Sequence, residues 1–160
     1  DAGKGERIPT LEEIIDGVDH RALINVELKG PQTAAPVVAL IERYVKERGW
    51  RPDEFLVSSF DHEQLASARK RSAKLHLGVL FEKLPSRPFV LAGKLKAWSV
   101  HPPLKAVTDR FVQAAHGRGF KVFAYTVNRP GDIARLQRLG VDGVFSDYPE
   151  RVLQHAERLR

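Results

Sequence analysis

The chain has 160 residues, 42% of them hydrophobic and 29% charged, with 26 Lys+Arg against 20 Asp+Glu for a net charge of +6. This length suits one ordinary domain with its own core, and the composition excludes a disordered chain. No apolar run approaches the roughly 20 residues that cross a bilayer, and the absence of Cys excludes disulfides and thiolate zinc sites.

A positive balance favours an anionic ligand, but the basic residues are scattered and do not alternate with aromatic ones. No nucleic-acid partner and no membrane span are expected. Asp1 to Gly5 reads as a loop, and the chain contains no Met, so it reads as part of a longer protein. Thr10-Leu11-Glu12-Glu13 opens the first helix, with Thr10 as the cap and Glu13 three residues on, as in a capping box. Gly17 is its expected stop.

Ile24-Asn25-Val26-Glu27-Leu28-Lys29-Gly30 is the first strand. Side chains two apart share a face, so Asn25, Glu27 and Lys29 line one side and Ile24, Val26 and Leu28 the other. If both faces are covered, a carboxylate and an ammonium are partly buried, which is costly unless they are paired or bound. Such a stretch is either a structural Glu–Lys pair or a site for a metal ion beside a phosphate.

A helix over about 35–48 carries the apolar stripe Val37, Leu40, Ile41, Tyr44 and Val45. Residues 55–60 form the next strand, and Asp61 caps a helix with Gln64 three residues later. The basic run Arg69-Lys70-Arg71 on that helix reads as a solvated face. A third strand covers 75–81. Residues 82–96 read as a loop with one helical turn. Ala97 to Val100 is a short strand, a helix runs from about Leu104 to His116, and Lys121 to Val127 is a strong strand. A helix with Ile133, Leu136 and Leu139 follows Pro130, Val141 to Tyr148 is the last strand, and 150–160 is a final helix.

Strands alternating with helices imply a parallel α/β sheet, either doubly wound or a TIM barrel. Polar residues gather at strand C-terminal ends, where both architectures place their sites: Glu27 and Lys29, Ser58 to Asp61, His101, Thr126 and Asn128, Ser146 and Asp147. No Gly-rich phosphate loop follows a strand. His62, His76, His116 and His155 are spread out; His101 ends a strand and reads as a loop or packing residue. His20-Arg21 reads as a surface pair.

Four segments together resemble the glycerophosphodiester phosphodiesterase family: Ile8-Pro9-Thr10-Leu11-Glu12-Glu13, Asn25-Val26-Glu27-Leu28-Lys29, Val57-Ser58-Ser59-Phe60-Asp61, and Tyr125-Thr126-Val127-Asn128 followed by Gly140 to Pro149. The resemblance implies a TIM (β/α)8 barrel, of which this chain holds the C-terminal strands from about the fourth onward, in a single partial domain over 1–160. It implies hydrolysis of glycerophosphodiesters to glycerol phosphate and an alcohol, with calcium or magnesium as divalent metal. By resemblance Glu27 is a metal ligand, and Lys29, Tyr125 and Asn128 bind the substrate or its phosphate. Tyr125 stands where the family usually has Trp.

The family's His-Arg-Gly, its Glu-x-Asp and the His after its third strand are absent from this sequence. No catalytic histidine is therefore assigned here, and the chain alone is expected to be inactive. The partner is a small phosphodiester, and the first strand is expected to expose an edge that invites self-association. Two alternatives stay open: a non-catalytic half-barrel that binds a partner or an anion, and a phospholipase-D-like enzyme of the same superfamily acting on lysophospholipids.

Overall fold

A computed structural model describes residues 3–157, with side chains through His155. Six strands pair in parallel in the order β1 (Ile24–Glu27), β2 (Phe55–Ser59), β3 (His76–Leu80), β4 (Ser99–His101), β5 (Lys121–Ala124) and β6 (Gly143–Val144). The helices are α1 (Leu11–Val18), α2 (Ala34–Glu47), α3 (His62–Arg71), α4 (Pro88–Lys94), α5 (Asp109–His116), α6 (Pro130–Arg138) and α7 (Pro149–Glu157).

A doubly wound sheet reverses its strand order at a switch point, and this order never reverses. Right-handed crossovers then lay the connecting helices on one side of the sheet. On that side Phe55, Val57, Leu77, Val79, Val100 and Val122 from the strands form one core with residues such as Val38, Ile41, Leu65 and Phe111 from the helices. A smaller core under α6 gathers Val107, Val112, Ala124, Val127, Ile133 and Leu136.

The other face curls inward. In a flat sheet β2 and β5 would stand about 14 Å apart, three strand spacings of about 4.8 Å. Yet Phe60 and Tyr125, just past their C-terminal ends, meet edge-to-face with ring centroids 5.7 Å apart. The inner layer is fitted by size. A Cβ on Gly78 would lie 2.5 Å from Cε1 of His101, and one on Gly143 2.8 Å from Cδ1 of Phe123, so each glycine makes room for a ring. The architecture is a parallel half-barrel, with β1 and β6 each paired on one side only among the described residues.

Several local expectations shift. Helix α1 passes through Gly17 and stops at Asp19, in the left-handed region at φ 45°; Arg21 donates to the carbonyls of Val18 and Gly17 and satisfies that end. The buried stripe of α2 is Ala34, Val38, Ile41 and Tyr44, with Val37, Leu40 and Val45 only partly covered. The segment 82–96 holds a full helix, α4, started by Pro88 in its first turn. The helix expected from Leu104 breaks into a 3₁₀ turn over Leu104–Ala106 and α5, because the Thr108 side chain accepts the N–H of Phe111 and starts α5 there.

The last strand is two residues long, Gly143–Val144, although Val127 N–H still reaches the carbonyl of Phe145 just past it. Asp61 caps α3 as expected, but Gln64 accepts the N–H of Ala34 instead of closing a capping box. Arg69 is not part of a solvated face: its guanidinium donates to the carbonyls of Ser72, Ala73, Leu75, Leu95 and Lys96. Residues 158–160 of the expected final helix, with Asp1 and Ala2 of the opening loop, lie outside the described residues.

Candidate functional site

The strand C-terminal ends meet at one rim of the half-barrel. Glu27 ends β1 on the inner face, opposite Ser58 in the register. Its carboxylate lies 3.6 Å from Nζ of Lys29, with side chains 29% and 78% exposed respectively. The ladder stops before Lys29: Leu28 N–H still reaches the carbonyl of Ser58, and then the chain turns out. Lys29 thus reaches Glu27 from a loop, not from a strand, which leaves its ammonium in solvent above the carboxylate.

The pair of serines divides its work. Ser59 Oγ donates to the carbonyl of Leu28 at 2.7 Å and accepts the N–H of Asp61 at 3.0 Å, tying the ends of β1 and β2 together. Ser58 faces inward. Its Oγ, like Oδ1 of Asn25, is buried without a hydrogen-bond partner. Two orphaned oxygens therefore sit on the inner face near Glu27, one two residues before it on β1 and one beside it on β2, and native structures leave few such groups unsatisfied.

Tyr125 stands across the rim. Its hydroxyl donates to the carbonyl of Phe81 at 2.6 Å, and its ring meets Phe60, which is 37% exposed. Burial, then the charges of Glu82 and Glu27, push its phenol above the ordinary value. Beside Tyr125 opens a cleft of about 640 Å³, with Glu82, Lys83, Leu104, Lys105 and Thr126 in its lining. Lys83 and Lys105 bring positive charge to this cleft, and Lys29 brings it to the end of β1.

Asn128 does not reach this cleft. Its Nδ2 donates to Asp147 at 2.7 Å, its Oδ1 accepts from Ser146 Oγ and Asp147 N, and its carbonyl accepts from Arg151. It clamps the loop after β5 to the loop after β6. Among the described residues no group of three or more His, Asp or Glu is arranged to hold a metal ion.

None of the histidines described in side-chain detail stands free at the rim. His101 is fully buried; it shares a hydrogen bond of 2.8 Å with Ser99 Oγ, and burial holds its pKa down at about 3. His62 donates to the carbonyl of Leu80, His76 stacks on Trp98, and His116 pairs with Asp142. His20 stacks on Trp50 and pairs with Glu54. Sequence reasoning missed Phe60 as a wall of the site and Glu82 altogether. Glu82 lies two residues past the end of β3, close to a position that the strand-end rule singles out, but it opens a segment that reads as a loop with one helical turn.

Residues 2–151 match the model of the glycerophosphoryl diester phosphodiesterase family. The chain is 34% identical over 160 residues to a glycerophosphodiester phosphodiesterase of Bacillus altitudinis, covering 96% of this chain and 64% of that protein. It is 31% identical over 151 residues to one of Caldanaerobacter subterraneus, covering 93% and 62%. The chain thus spans less than two thirds of the length of these relatives. Among solved structures it resembles a phosphodiesterase of Oleispira antarctica in complex with the product sn-glycerol-3-phosphate, with a TM-score of 0.77, 26% identity, and coverage of 91% of this chain and 58% of that one.

Proposed function

The chain belongs to the glycerophosphoryl diester phosphodiesterase family, and from that premise we propose that the protein carrying it hydrolyses glycerophosphodiesters to glycerol phosphate and an alcohol. The observation that carries this reading is the Glu27–Lys29 pair at 3.6 Å on the same rim of strand ends that holds Tyr125 and its cleft. Hydrolysis of a phosphodiester adds water across a P–O bond, and charge grows on the phosphoryl oxygens as the alkoxide leaves. Lys29 neutralises one such oxygen. Tyr125 and Phe60 wall the pocket, and the cleft beyond them takes the alcohol. Asn128 serves this pocket as a positioning residue through its clamp on the Ser146-Asp147 loop.

A divalent cation fits the donor chemistry of this rim. Glu27 offers a hard carboxylate oxygen, and the unpartnered Oδ1 of Asn25 lies on the same strand face two residues before it. Calcium and magnesium take six or more oxygens, so these two residues supply part of a shell. When bound, the cation would neutralise phosphoryl charge. The acid and base that proton transfer needs are assigned outside this chain: His20, His62, His76, His101 and His116 are buried or engaged elsewhere, and His155 sits on α7 beside Ile133 and Gln137.

The half-barrel is correspondingly the C-terminal part of a (β/α)8 barrel. Six parallel strands leave room for two more in a barrel of eight. The free edge of β1 pairs either with that missing part or with another copy. In the whole enzyme, Glu27→Gln is expected to lower turnover of glycerophosphocholine by roughly a hundredfold or more and to raise the calcium or magnesium concentration needed for half-maximal rate. An unchanged metal dependence would remove Glu27 from the site.

A further inference from the structure

On the helix side of the sheet, a cleft of about 600 Å³ opens between α4 and α5. Its volume lies within the range of small-molecule sites, roughly 300–1,000 Å³. The floor is apolar, with Leu84, Phe89, Val90 and Phe111 in the lining. Phe89 is seated against Phe111 and Phe120, at centroid distances of 5.3 and 6.0 Å, while Val90 stays 53% exposed.

The rim of this cleft carries Arg87, Arg110 and Arg118, and its lining contains no Asp or Glu. Among the described residues none of the three forms an ion pair with a carboxylate. Arg118 lies over the Phe89 ring at 5.2 Å and donates to the carbonyl of Ala114 at 2.8 Å. The guanidinium groups of the other two make no described bond to the protein. The three come from separate segments: the residue before α4, the first turn of α5 and the loop after α5. The polar face of a single helix does not explain their convergence. Arg110 also stands at the positive end of α5, where a cation opposes the helix dipole, so it does not serve its own helix.

An unpaired guanidinium cluster recognises phosphate or carboxylate through paired N–H donors. A free inorganic anion would leave the apolar floor wet, and an uncharged chain would leave the arginines without partners. We propose that this cleft binds a single-chain lipid phosphate, its head held by Arg87 and Arg110 and its alkyl chain lying on Phe89, Val90 and Phe111. This site is separate from the Glu27–Lys29 rim, although Leu84 and Ala106 line both this cleft and the one beside Tyr125.

The test is calorimetric titration of the protein with monododecyl phosphate below its micelle concentration. Saturable one-to-one binding with a negative heat-capacity change is expected, as apolar burial requires. Arg87→Gln with Arg110→Gln should weaken it roughly tenfold or more. Val90→Asp, at an exposed position, should weaken it comparably, whereas Lys29→Ala should leave it unchanged. Equal affinity for inorganic phosphate or for dodecyl maltoside would overturn the proposal. So would indifference to the arginine substitutions, loss of binding in Lys29→Ala, or binding only to anionic vesicles and not to the monomeric amphiphile.

Discussion

Lys29 illustrates how one contact leaves two roles open at the residue scale. An exposed ion pair contributes about 0–1 kcal/mol, so Lys29→Ala should change stability by less than about 1 kcal/mol. If the ammonium neutralises a phosphoryl oxygen, the same variant should lose roughly two orders of magnitude in kcat/KM in the whole enzyme. Melting and kinetics measured on one preparation separate the two: a lower melting temperature with intact kinetics would make Lys29 a partner of Glu27 alone.

His101 predicts a pH dependence. Its pKa is held down at about 3 by burial, against about 6.5 in an unfolded chain. Between those values the unfolded state binds a proton that the folded state refuses, so stability falls as pH drops below about 6.5, by on the order of 1 kcal/mol per unit. Urea midpoints at pH 7 and pH 5 should show this fall, and His101→Gln should flatten its share of it.

At the scale of elements, the hub on Arg69 decides more than any single cap. Five carbonyls from the end of α3, the approach to β3 and the end of α4 converge on one half-buried guanidinium, whose pKa is lowered by burial. A lysine carries three donors and no planar fork. Arg69→Lys should therefore cost about 2–3 kcal/mol, read as a shift in urea midpoint. The capping box of α1 was legible beforehand because both of its bonds link Thr10 and Glu13, three residues apart. The Arg69 hub was not, because Leu95 and Lys96 are 26 and 27 residues away in sequence.

For the whole molecule, the free edges of β1 and β6 carry the prediction. Purified alone, the 160-residue chain should not turn over glycerophosphocholine with calcium or magnesium. Its mass by sedimentation should rise with concentration as β1 edges pair. A stable monomer with full activity would refute both the assignment of the acid and base elsewhere and the edge argument.

Alternation of apolar and polar residues, the caps at Thr10 and Asp61, and the strand-end polar residues are short-range signals. From them the sequence alone determined a parallel α/β chain with its polar groups on one rim, and four segments taken together, the one around Glu27 and Lys29 among them, pointed to a phosphodiesterase family. Tertiary structure decided the rest, because it depends on residues that meet across the sheet. Phe60 touches Tyr125 only because the sheet curls. Gly78 is small only because the His101 ring lies on it. Asn128 becomes a clamp because β6 brings Ser146 and Asp147 beside it. Each of these partners lies 18 or more residues away in sequence, beyond the reach of any local pattern.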